Sequence, residues 1–148
     1  MKRLLELKTK EVIILYILID LLCAGAGMGV PIFCILLGFP LGWYITNRVS
    51  ASTIQPYQKY YKIFKYSLLA AIFTFILMLI VWVCAILINI DSSSDIQNFG
   101  HPYILFNPVS SFIGWLILMI FISPFLQLLT TIFAAFITLI RNERKLCR

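Results

Sequence analysis

One carboxylic acid, Asp20, stands inside an otherwise apolar run that extends from Val12 to Ile45. If that run crosses a bilayer, an ionised carboxylate in it costs roughly 2.5–3.5 kcal/mol on insertion scales. No lysine or arginine lies at matching depth to offset the cost. Two chemistries fit such an acid. It can hold a proton or a cation on a transport route, or it can keep its own proton and bond a neighbouring helix as a packing group. At three- and four-residue helical spacing Asp20 shares a face with Tyr16, Ile17, Cys23 and Ala24, with Gly27 a turn further. The small side of that face points to close helix packing rather than lipid contact. Asp20 is therefore expected between helices, protonated when nothing is bound, with partners on the second or fourth span near Pro40 or near Ser123 and Gln127.

Other residues could support that centre. Pro40 and Pro124 fall mid-span, and proline removes a backbone hydrogen bond and frees a carbonyl. Broken helices beside a carboxylate form ion sites in many transporters, although membrane helices also carry prolines that are satisfied locally. Ser123 precedes Pro124, and Gln127 follows it by about one turn, adding polar groups at the same level. Gly25/Gly29 and Gly38/Gly42 are GxxxG pairs that let backbones approach, within the chain or between copies of it. In YQKYYKIFKY, residues 57–66, helical spacing sets Tyr57, Tyr60, Tyr61 and Phe64 on one face and Lys59, Lys62 and Lys65 on the other. That is the pattern of an interfacial helix, with aromatics at the acyl boundary and lysines toward anionic headgroups.

Much chemistry is missing. There is no Walker A, HExxH or GxSxG sequence, and Cys23, Cys34, Cys84 and Cys147 form no CxxC pair. His101, Asp91 and Asp95 share one stretch at spacings too loose for a metal site. His101 is the only histidine, so Asp20 has no acid–base partner of that kind. No metal, cofactor or catalytic residue is expected, and an intramembrane enzyme ranks third among the functional readings.

The elements that would position these residues follow from composition. Of the 148 residues, 61% are apolar and 12% charged, against about half and a quarter in soluble domains. About 20 helical residues cross the hydrocarbon, so the run from Val12 to Ile45 is too long for one span. It divides at the glycines 25–29 and Pro31, since proline is well tolerated at a first helical position. The expected fold is an all-α polytopic membrane helix bundle with four transmembrane spans, roughly 10–28, 31–47, 66–90 and 109–140. Residues 1–148 make a single transmembrane domain, with an interfacial helix at 57–66. The fourth span is long, and is either kinked at Pro124 or entered through a re-entrant stretch.

All 12 lysines and arginines lie before residue 11, between 47 and 66, or after 140. Four spans gather these segments on one side, which the positive-inside rule makes cytoplasmic, together with both termini. Three or five spans would strand a basic segment outside. A cleavable leader is the competing reading of residues 1–26, with Lys2 and Arg3 ahead of the apolar run and Ala24-Gly25-Ala26 as the processing pattern, but Asp20 sits poorly inside such a run. The net charge of +6 is flanking charge rather than a nucleic-acid surface.

These features lead to a small multi-pass protein of the cell membrane, a transporter or channel-type protein acting as an oligomer around Asp20. Its partners would be anionic headgroups and either further copies or another membrane protein. The alternative is a non-catalytic accessory or assembly subunit whose Asp20 and glycines bind a partner's helices.

Overall fold

The computed structural model describes residues 9–26, 32–51, 56–89 and 106–146. Among these residues the chain is helical throughout, without strands. Helix α1 is Thr9–Ala26, α2 Ile32–Ser50, α3 Pro56–Asn89, α4 Pro108–Ile117 and α5 Ser123–Leu146, with a π-helical turn Leu118–Ile122 joining α4 to α5. Both boundary prolines act as helix starters. Pro56 opens α3, and Pro108 opens α4 behind Asn107, whose side chain accepts the Val109 N–H at 3.0 Å.

Among the described residues three helices are long and apolar enough to cross a membrane: Ile32–Ser50, Tyr57–Ile88 and the continuous Pro108–Arg144. The outside of the bundle is correspondingly greasy. Leu22, Leu69, Ile88, Phe121 and Phe136 all stand exposed, while Thr46, Ser67, Thr74, Ser123, Gln127 and Thr131 are buried. A water-soluble fold distributes these residue types the other way; hydrocarbon removes the cost of exposed leucine and raises that of exposed polar groups. The chain is thus a multi-pass α-helical membrane protein. Helix α1 carries Lys10, Glu11 and Asp20 and does not join the three by composition.

One expectation changes, and one open alternative narrows. Residues 57–66 are helical, but they run unbroken into the following span as one 34-residue helix rather than forming a separate element. No glycine or proline interrupts the chain after Pro56 until beyond Asn89. At about 1.5 Å per residue this helix is much longer than the roughly 30 Å hydrocarbon layer. Residues 108–122 are likewise helical rather than re-entrant. The break expected at Pro124 takes the form of the π turn. Pro124 has no N–H to donate and its ring crowds the carbonyl a turn earlier. Just before it the ladder widens, so that the Ser123 N–H reaches the Leu118 carbonyl, five residues back. Pro40, by contrast, sits inside α2 with its ring outward and the helix continues past it.

The tightest pairing is α2 against α5. A β-carbon on Gly38 would collide with the Thr130 side chain and lie 2.7 Å from the Gln127 carbonyl oxygen. One on Gly42 would overlap the Thr131 carbonyl oxygen and lie 3.0 Å from Ala134 Cβ. This GxxxG pair therefore works inside the chain, letting two backbones touch. Polar bonds run along the same seam: Thr130 Oγ1 donates to the Ile35 carbonyl at 2.8 Å, and Asn142 Nδ2 donates to Asn47 Oδ1 at 3.2 Å. Nearer the α2 C-terminus, Ile45, Val49, Ile63 and Ala135 close a small apolar cluster. Gly29 lies outside the described residues, and Gly25 is placed only as backbone in the last turn of α1.

Candidate functional site

Asp20 is completely buried, as are Ser123 and Thr74, and Gln127 is 1% exposed. Asp20 and Thr74 lie near the middle of α1 and α3, and Ser123 and Gln127 lie on the first turns of α5 beside the π turn, near the middle of the continuous Pro108–Arg144 span. Where three apolar helices meet hydrocarbon, these positions form a polar level within the bundle.

Four side chains bond one another at that level. Thr74 Oγ1 donates to Asp20 Oδ2 at 2.8 Å. Thr74 Oγ1 also lies 3.3 Å from the Ala70 carbonyl oxygen of its own helix, and the Tyr16 hydroxyl donates to the same carbonyl at 3.2 Å; across the 2.8 Å contact between Thr74 Oγ1 and the Tyr16 hydroxyl either can be the donor. Gln127 Nε2 in turn donates to the Tyr16 hydroxyl at 3.2 Å. The result is a continuous hydrogen-bond chain, Gln127 to Tyr16 to Thr74 to Asp20; when Tyr16 gives its proton to Thr74 and Thr74 gives its own to Asp20, every donor in it points toward the carboxyl. Successive bonds of this kind polarise one another in a low-dielectric interior. The chain also ties together α1, α3 and α5. The edge-on Tyr16–Phe73 ring pair, with centroids 6.0 Å apart, holds the tyrosine against α3.

Three buried polar atoms at this level have no hydrogen-bond partner among the described residues: Asp20 Oδ1, Ser123 Oγ and Gln127 Oε1. Ser123 and Gln127 are four residues apart on one helix and so share a face. Three other buried hydroxyls bond only within their own helices. Ser67, Thr131 and Thr138 each donate to the carbonyl four residues back on their own helix, at 2.9, 2.7 and 2.7 Å. They are internally satisfied.

The sequence-derived candidates are thus partly brought together. Asp20 and Gln127 join through two intervening hydroxyls, with Ser123 one turn away. Pro124 is buried in the turn between Ser123 and Gln127, while Pro40 faces outward. The expected partners of Asp20 on the second or fourth span are corrected: the direct bond comes from Thr74 of α3. Thr74 carried no distinguishing mark among the serines and threonines of the apolar runs. Tyr16 did carry a signal, its place one turn before Asp20 on the same face, but not its role as the link to Gln127.

Lys59 and Lys62 are half-buried and Lys65 exposed near the start of α3. Ile63 is the residue turned into the bundle there, and Tyr57, Tyr60, Tyr61 and Phe64 all project outward. Among the described residues no group of three His, Cys, Asp or Glu side chains could hold a metal ion. Compared with family models, with characterised proteins and with solved structures, the chain matches none.

Proposed function

We propose that the chain is a four-span transport- or channel-type protein of the cell membrane, working as an oligomer, with Asp20 as its polar centre. The observation that carries this reading is a fully buried carboxyl in a bundle whose outer surface is apolar, one oxygen at the end of a continuous hydrogen-bond chain and the other without a partner. A group needed only for packing gains most when both oxygens are satisfied.

The fourth span in this proposal is α1. Its outward residues Ile13, Ile14, Leu18 and Leu22 are exposed hydrophobics, and Lys10 and Glu11 occupy its first turn, where a headgroup region would take them. The one-sided lysines and arginines support cytoplasmic termini. The accessory-subunit reading wants a small-residue face turned outward. The small residues Gly38, Gly42, Ala70, Ala71, Ala134 and Ala135 instead face the chain's own helices. Association of copies would accordingly use another surface than the Gly38/Gly42 pair.

Flux into vesicles tests the reading. Purified protein is reconstituted with a pH-sensitive or sodium-sensitive dye inside, and the parent is compared with Asp20→Asn, which keeps the shape and bonding of the protonated acid but cannot titrate. Ion or proton movement in the parent, lost in a variant that folds and assembles normally, is the expected result. No flux in the parent under either gradient would sink it and leave the accessory-subunit reading.

A further inference from the structure

The three unpartnered atoms at the polar level share one chemistry. Asp20 Oδ1, Gln127 Oε1 and Ser123 Oγ are all oxygens able to offer a lone pair. Their hosts are at most 1% exposed. Asp20 and Gln127 are joined by three consecutive hydrogen bonds through Thr74 and Tyr16. Ser123 stands one turn before Gln127 on the same helix face. The Gln127 amide is already oriented by this chain: its nitrogen is committed to Tyr16, which leaves its oxygen for another partner.

Neither protonation state of Asp20 satisfies this set from within the chain. An ionised carboxyl leaves Oδ1 an acceptor without a donor. A proton on Oδ1 makes it a donor, and no acceptor contacts it; a proton on Oδ2 can be given to Thr74 Oγ1, and Oδ1 is then an acceptor still without a donor. A buried water could bridge the oxygens, yet it brings no positive charge to a carboxylate in a hydrocarbon-level interior. No lysine, arginine or histidine bonds Asp20.

We propose that Asp20 Oδ1, Ser123 Oγ and Gln127 Oε1 form a binding site for a hard monovalent cation of the sodium class. One carboxylate balances one charge, which disfavours a divalent ion. The ligand atoms are all oxygen, which disfavours soft transition metals. The titratable groups around Asp20 are Tyr16 and Cys23 on its own helix and Cys34 on α2; Thr74 of α3, which bonds it, and Gln127 of α5, which bonds Tyr16, do not titrate. A proton and the cation then compete for the same carboxyl, each neutralising it. The site deepens the proposed function by naming the ion, and it rests on that reading only for the step from binding to transport.

The test is equilibrium binding of radioactive sodium to the full-length protein in detergent, at constant ionic strength with N-methylglucamine as the replacement cation. Saturable binding that weakens as the pH falls is expected. Ser123→Ala and Gln127→Met, each removing one ligand oxygen while folding normally, should weaken sodium affinity about tenfold or more. Asp20→Asn should abolish binding. Absence of saturable sodium binding, or binding indifferent to both Ser123→Ala and Gln127→Met, overturns the site. Binding without vesicle flux removes the transport reading and leaves the site standing. Proton flux without sodium binding does the reverse.

Discussion

Replacing Gly42 by alanine adds one carbon where α2 and α5 already touch. That carbon would overlap the Thr131 carbonyl oxygen and lie 3.0 Å from both Ala134 Cβ and Ala135 N. Favourable carbon contacts begin at about 3.5 Å, so the two helices must part by at least about half an ångström. Two of the obstructing atoms belong to the α5 backbone, and no side-chain rotation relieves them. Overpacking of this kind costs about 1–3 kcal/mol. The displacement also strains the 2.8 Å bond from Thr130 to the Ile35 carbonyl, in a setting where interhelical bonds average about 0.6 kcal/mol. Alanine's better helix propensity returns roughly 0.5–1 kcal/mol. Gly42→Ala should therefore destabilise by about 1–2 kcal/mol net. Gly114 supplies the control, because a β-carbon there meets nothing within 4 Å; Gly114→Ala should be neutral or slightly stabilising. Reversible unfolding by sodium dodecyl sulfate in mixed micelles measures both. Equal stability of Gly42→Ala and Gly114→Ala would refute the packing argument, since the two differ only in what the new carbon meets.

Gly38→Ala should act at the site as well as on stability, because its new carbon presses on the carbonyl of Gln127; sodium affinity in that variant, beside an unchanged Gly114→Ala, checks the connection. Tyr16→Phe removes the link between Gln127 and Thr74 and should cost about 0.6–1.7 kcal/mol; because Tyr16 and Gln127 share one bond, the double variant with Gln127→Met should lose less than the sum of the two single losses, and strict additivity would show that they are not coupled. Replacing Lys59, Lys62 and Lys65 together by glutamine should weaken preference for anionic lipid by about 1 kcal/mol per lysine, measured by vesicle partition or native mass spectrometry; unchanged preference would make the segment a plain helical extension. A cysteine introduced at Ser93 should react with an impermeant thiol reagent from outside intact cells while Cys147 does not, and reversed labelling would overturn the proposed orientation.

Helix positions were readable because the relevant forces are local. Pro31 and Pro56 fall where helices begin or just before, apolar run lengths match membrane crossings, and the boundaries of α2 lie within a few residues of the expected span. The continuity of 57–66 with the following span was not readable from amphipathic pattern. A two-faced segment at a membrane edge looks the same whether it bends along the surface or extends straight. The absence of any breaker between Pro56 and Asn89 was the better guide. Asp20, Ser123 and Gln127 stood out because polar residues are rare in such runs. Thr74 did not, since a threonine inside a span can always donate to its own helix, and the sequence contains no mark of the one that reaches across instead.

That distinction sorts the buried polar groups of the bundle by what they can do. Ser67, Thr131 and Thr138 keep their protons on carbonyls of their own helices. They would remain satisfied if the helices separated, so they specify little about the arrangement and can be exposed or buried at small cost. Tyr16, Thr74 and Gln127 bond across helix boundaries, in a chain that ends at one carboxyl. Their partners exist only when α1, α3 and α5 are assembled, which makes the Asp20 carboxyl the point where helix packing and charge are coupled. A cation or proton arriving at Oδ1 alters the charge at the end of that chain and thereby the strength of every bond in it. Helix α1 contributes both Tyr16 and Asp20 while most of its remaining surface faces outward, so a change in those bonds acts first on how α1 is held. On the proposed reading, coupling between ion occupancy and the position of α1 is expected from where the protons of Tyr16, Thr74 and Gln127 are committed.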